Sequence, residues 1–170
     1  MYRSRRLWGV LWCAVWLWFA ARTLGTARRI LACQQFGTAC RRASMPGRVL
    51  NAFSGEELVY NKTLGDWRTH NGVDYACTQG AAVAAPVAGK VVSAGAEGNW
   101  GTVVVLEDAA GRSWRLCGVA DPAVKAGDTV AAGQKLGTVG TVGCECAEES
   151  HIHVEVKQGE SYLDPAKLPE

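Results

Sequence analysis

Residues 1–48 contain no aspartate, no glutamate and no lysine, yet they hold nine arginines. The remainder carries the other nine basic residues and all sixteen acidic ones, a net charge of −7. An acidic body with scattered basic residues excludes a nucleic-acid binder. A basic leader ahead of an acidic body points instead to a membrane-facing segment and a soluble domain. The body also lacks any long amphipathic helix. Its glycine-rich turns lie between strands and never open a helix, which excludes a phosphate-cradling loop. Histidine is scarce as well, with three in the chain: His70, His151 and His153.

Those three fall into two clusters. Ser150-His-Ile-His-Val-Glu-Val156 alternates like a β-strand. Ile152, Val154 and Val156 face a core, and His151, His153 and Glu155 face the other way. The two imidazoles then stand roughly 7 Å apart at Cα, given about 3.3 Å per strand residue, close enough to converge on one ion or reacting atom. In Thr69-His-Asn-Gly-Val-Asp74, His70 and Asp74 are expected on one strand face with a gap at Gly72 between them. Polar residues on the wet face of a surface strand give the same pattern. That account weakens when every histidine belongs to one of the two clusters. Two imidazoles, a carboxylate and a spare imidazole suit a zinc site with one open position.

Leu7 to Ala21 is an unbroken apolar or small run preceded by Arg3, Arg5 and Arg6 and rich in tryptophan. Fifteen residues make about 22 Å of helix, and extension to Ala27 gives about 31 Å, close to a hydrocarbon core of about 30 Å. The expectation is a single transmembrane helix, with residues 1–45 forming anchor and linker. A cleaved signal peptide is the rival, although no A-x-A site follows; a lipoprotein reading at Cys33 is broken by Arg28-Arg29. Each places the body, 46–170, outside the cytoplasm.

From Val49 onward strand signals recur every eight to twelve residues with glycine punctuation: Gly89–Ala94, Thr102–Leu106, Ser113–Val119, Thr129–Val130 and Lys135–Val139. This spacing predicts an all-β, mostly antiparallel sandwich or barrel.

His70-Asn-Gly-Val-Asp74, Ala85-Pro86, Gly89-Lys-Val91, Trp100-Gly101, Val124-Lys-Ala-Gly-Asp-Thr-Val130, Gly133-Gln-Lys-Leu-Gly137 and His151-Ile-His153 run in one order. The set resembles the lysostaphin/LytM-type zinc metallopeptidase domain, over roughly residues 46–170. The resemblance implies a duplicated hybrid motif fold and cleavage of peptide cross-links in bacterial peptidoglycan. It implies zinc ligands His70, Asp74 and His153, with His151 as a non-ligand catalytic histidine. Such a zinc polarises the substrate carbonyl and acidifies water.

One departure matters. Where the family has a second catalytic histidine, this chain reads Leu116-Cys-Gly-Val119, with Gly118 at the histidine position. Loss of such a group costs about 10²–10⁴ in rate, so an impaired endopeptidase is expected. Gly118→His is expected to raise hydrolysis by about an order of magnitude or more. The segment Asn61–His70, with the anchor, resembles the stage II sporulation protein Q subgroup. That resemblance implies the alternative: a non-catalytic scaffold or binding module at the cell envelope with a protein partner. A carrier-type β domain is disfavoured, because no lysine sits at a hairpin tip. Seven cysteines, an odd count, are expected to pack or pair rather than to ligate, with Cys117 pointing away from the metal.

Overall fold

The computed structural model describes residues 47–168. The expected membrane helix, and Cys13, Cys33 and Cys40, lie outside those residues. Among the described residues no helix is long and apolar enough to cross a membrane. Thirteen strands follow in order: β1 (Val49–Asn51), β2 (Leu58–Asn61), β3 (Asp66–Thr69), β4 (Gly72–Ala76), β5 (Ala82–Ala84), β6 (Gly89–Ala96) and β7 (Thr102–Asp108). Then come β8 (Ser113–Cys117), β9 (Val119–Ala120), β10 (Thr129–Val130), β11 (Lys135–Val139), β12 (His151–Gln158) and β13 (Ser161–Leu163). The helical elements among these residues are three short 3₁₀ turns, at Gly98–Trp100, Gly143–Glu145 and Pro165–Lys167.

Eight strands form one antiparallel sheet, ordered β1-β4-β12-β8-β7-β6-β10, with β13 on the end of β12. A second sheet, β5-β11-β9, and the separate β2–β3 hairpin complete the set. The expected all-β, antiparallel architecture is therefore present. The large sheet ends at β1 and β10 rather than pairing them, so it is an open sheet and not a barrel.

The core lies between the two sheets. Val104, Leu116, Ile152, Val154 and Val156 of the large sheet meet Val83, Val119, Leu136 and Val139 of the small one. Each such side chain, fully buried, contributes about 1.5–3 kcal/mol of apolar transfer energy. These β-branched and leucine side chains explain why the alternating runs become strands: period two lines up one apolar face.

β12 sits in the middle of this arrangement, with β4 on one side and β8 on the other. Both of its faces are buried, from His151 through Val156. The polar face is thus not the wet face of a surface strand. It is the floor of a cleft, covered by the Gly98–Trp100 and Gly143–Glu145 turns and the β2–β3 hairpin.

Candidate metal centre

Cross-strand register assembles the floor. His153 on β12 stands opposite Asp74 on β4 and Cys117 on β8, and Asp74 stands opposite Asn51 on β1. Directly opposed residues in an antiparallel pair share a face, so Asn51, Asp74, His153 and Cys117 form one row. A bulge between Val49 and Asn51 sets the Asn51–Asp74 pairing. The next row on that face holds Gly72, Glu155 and Arg115.

His70 reaches the row differently from the sequence expectation. It does not share a strand with Asp74. It lies in the break between β3, which belongs to the separate hairpin, and β4. Its ring still arrives, because Ser54 Oγ accepts the His70 backbone N–H at 2.7 Å and the Ala52 carbonyl takes the ring Nδ1–H at 2.9 Å. A carbonyl can only accept, so Nδ1 carries the proton and Nε2 presents its lone pair to the cleft.

The gap at Gly72 is filled. A Cβ there would lie 2.7 Å from His153 Nε2 and 2.6 Å from the Val154 carbonyl oxygen. The missing side chain is the space that His153 occupies, which is the reason for glycine at this position.

Three donor atoms converge. His70 Nε2 lies 3.2 Å from Asp74 Oδ1 and 3.2 Å from His153 Nδ1, and His153 Nδ1 lies 2.7 Å from the same Asp74 oxygen. Asp74 Oδ2 is held away from the centre by Asn51 Nδ2, which donates to it at 2.8 Å. On its far side, His153 Nε2 faces Glu155 Oε1 at 3.4 Å but forms no regular hydrogen bond. Glu155 is fixed by Arg115 at 2.8 Å, and Arg115 also binds Glu97 and lies over the Trp100 ring. Trp100 closes the roof, its ring centre 4.7 Å from that of His153.

The electrostatics match a cation site. Burial alone would raise the Asp74 carboxyl, but hydrogen bonds from His153 and His70 outweigh it and hold its pKa well below the usual range. Burial alone would lower His153; Asp74, with Glu155 and Glu145, outweighs it and lifts the imidazole to about 9. The point that attracts a proton this strongly attracts a metal ion as well.

A fourth residue joins the group. His70, Asp74, Glu145 and His153 each offer one ligand atom, all within 4.8 Å of one another. Sequence reasoning missed Glu145. A carboxylate following Gly143 in the loop just ahead of His151, beside Cys144 and Cys146, was nevertheless there to be read. Neither thiol belongs to the group. Burial raises Cys144 to about 11, with Glu145 adding to the effect.

Two further expectations change. Cys117 does not point away from the metal face; it is the lateral neighbour of His153 on it, buried, with burial holding its thiol protonated. It is nevertheless outside the ligand group. Gly118 has φ +82°, and a Cβ on it would lie 2.6 Å from Val142 Cγ2. The position therefore does not accept a histidine by simple replacement. His151 lies outside the group of candidate ligands: its Nδ1 donates to the Glu149 carbonyl at 2.7 Å, and its Nε2 meets Glu145 Oε2 at 3.2 Å.

The cleft above this centre has a volume of ≈ 480 Å³ and is lined by His70, His153, Glu145 and Trp100 on one side and Tyr60 and Arg68 of the hairpin on the other.

Fold, register and donor set define a metallopeptidase-type β domain, and sequence comparison agrees. The pattern of peptidase family M23 matches residues 68–165. This chain belongs to peptidase family M23, the family of the lysostaphin/LytM-type enzymes. It is 29% identical over 136 residues to the DD-carboxypeptidase/endopeptidase Mpg of Neisseria meningitidis, a match covering 72% of this chain and 31% of that protein. The chain thus spans about a third of the length of the curated relatives it matches. The catalytic domain of lysostaphin, an antimicrobial peptidase from Staphylococcus simulans, superposes with a TM-score of 0.59 at 26% identity, over 71% of this chain and 90% of that one. A chain of the SpoIIIAH–SpoIIQ complex has the same fold, with a TM-score of 0.63 at 24% identity, over 73% of this chain and 93% of that one. Peptidases of family M23 are zinc-dependent, and the donor set here fits zinc: two imidazole nitrogens and a carboxylate oxygen, His70 set to the correct tautomer by a backbone carbonyl.

Proposed function

We propose that this chain is a zinc metalloendopeptidase of the bacterial envelope that cuts peptide cross-links in peptidoglycan, and does so slowly. The observation that carries the reading is the convergence of His70 Nε2, Asp74 Oδ1 and His153 Nδ1 on the floor of an open cleft. His70, Asp74 and His153 hold the metal in this reading. When bound, zinc supplies Lewis acidity that polarises a peptide carbonyl. The chain's own residues do the rest. Asn51 and the Ala52 carbonyl keep two ligands aimed inward. Trp100 and the hairpin wall the cleft and align an extended peptide. His151, with Nδ1–H tied to a carbonyl and Nε2 against Glu145 Oε2, moves a proton at the cleft floor. Residues 1–45 hold the domain at a membrane, on the strength of the Leu7–Ala21 run and its arginines.

A second reading is favoured by one observation. Gly118 offers no side chain where the family resemblance implies an imidazole, and its backbone and the Val142 contact leave no room for one. On that reading the domain is a zinc-bearing scaffold or binding module for an envelope partner. The discriminating experiment is release of muropeptides from purified peptidoglycan by full chain in mild detergent, at measured zinc occupancy, beside His151→Ala. Slow release that His151→Ala removes supports the peptidase. No release at full occupancy leaves the scaffold.

A further inference from the structure

Glu145 is buried, with 6% of its surface exposed, on the 3₁₀ turn Gly143–Glu145 that roofs the cleft. Among the described residues it is ion-paired with three histidines and with no lysine or arginine, and it shares the site with the Asp74 carboxylate: Oε1 lies 3.7 Å from His70 Nε2, and Oε2 lies 3.5 Å from His153 Nδ1 and 3.2 Å from His151 Nε2. A buried carboxylate needs a compensating positive charge. This one directs an oxygen at each of two expected ligand nitrogens.

We infer that Glu145 is a fourth protein ligand, closing a metal shell that His70, Asp74 and His153 would leave open. This rests on the zinc reading above. Tetrahedral zinc with bonds of about 2.0–2.1 Å puts its ligand atoms about 3.3 Å apart. The three expected donors are separated by 2.7 to 3.2 Å; Glu145 Oε1 stands 3.7 Å from His70 Nε2 and its Oε2 3.5 Å from His153 Nδ1, and one oxygen of Glu145 lies within 4.8 Å of all three donors. Charge agrees with distance. Two neutral imidazoles and two carboxylates balance a divalent ion, whereas a single carboxylate leaves it a net positive charge and a stronger Lewis acid. Three protein ligands mark catalytic zinc sites and four mark structural ones. The loop is held in place: Glu145 N–H donates to the Val142 carbonyl at 3.1 Å, and Gly143 packs so close to Asn99 that a Cβ there would lie 3.1 Å from its carbonyl oxygen. The closed shell makes the site latent, because a peptide carbonyl must displace Glu145 to reach the metal.

The test uses full chain loaded with Co(II), with zinc affinity measured by competition against a chromophoric chelator. Wild type is expected to show the intense visible bands of a four-coordinate site, unmoved by azide. Glu145→Ala is expected to bind zinc about tenfold or more weakly, and its Co(II) bands should shift on azide addition. Glu145→Gln preserves the shape of the side chain and carries the same comparison if the alanine variant misfolds. Equal affinity in wild type and both variants, or wild-type bands that move with azide as readily as theirs, overturns the fourth-ligand inference while leaving the zinc site standing. Failure of wild type to take up either metal removes the zinc reading and the inference together.

Discussion

The two halves of the cleft have been treated differently. On the ligand half, His70, Asp74 and His153 converge, and each is backed by an orienting partner: the Ala52 carbonyl, Asn51 and Glu155. The other half is built from a turn and a loop. Glycine with a left-handed backbone stands at 118, Val142 fills the space beside it, and Glu145 sits against His151. On the proposed reading, the contrast separates metal binding from hydrolysis. The first depends on strand register, which the core enforces. The second depends on loop and turn residues, which the core leaves free to change.

The largest effect that would break the comparison comes from the ligand half. His153→Ala should weaken zinc binding by about a thousandfold, on the order of 4 kcal/mol of the total binding energy of such sites. Chelator competition on full chain would show it. Affinity within tenfold of wild type would mean that the ligand half is not where the metal sits.

Gly118→His tests the other half. The sequence expectation of rescue gives way to destabilisation. A left-handed backbone costs a β-carbon-bearing residue about 1–3 kcal/mol, and the clash with Val142 adds overpacking, for a loss of about 2–4 kcal/mol in urea unfolding. Zinc affinity should be unchanged in whatever fraction folds. A stable variant with faster muropeptide release would show that the backbone at 118 adapts.

The pH dependence of zinc uptake follows from His153. With its pKa raised to about 9, the metal-free imidazole is protonated at neutral pH, and metal must displace that proton. Affinity should therefore tighten as pH rises, by about tenfold per unit and about a hundredfold between pH 7 and 9, then level off. Isothermal titration in two buffers of different ionisation enthalpy would count the proton released. A flat profile across that window would mean that His153 is not a ligand.

The smallest effect sharpens the comparison within the ligand half. Asn51→Ala frees Asp74 Oδ2 without removing a donor from the centre, so zinc affinity should fall by about ten- to a hundredfold. A loss as large as that of His153→Ala would place Asn51 among the ligands instead of behind them.

Much of this was legible in the chain itself. Alternation in Ser150–Val156 determined that Ile152, Val154 and Val156 face the core and His151, His153 and Glu155 do not, because the period of a strand is fixed at two. Glycine and β-branched spacing determined the all-β class for the same local reason. The pairing of distant segments was decided by tertiary structure. Which residues stand opposite His153 depends on register between strands about eighty positions apart, set by the whole core at once. That register put Cys117 on the metal face, let the His153 ring fill the Gly72 gap, and allowed His70 to reach the site from outside the sheet. It also brought Glu145, a loop residue with no periodic signal, within 4.8 Å of three predicted ligands. Local sequence fixes the direction of a side chain relative to its own backbone; what that side chain meets is fixed by packing elements that the sequence keeps far apart.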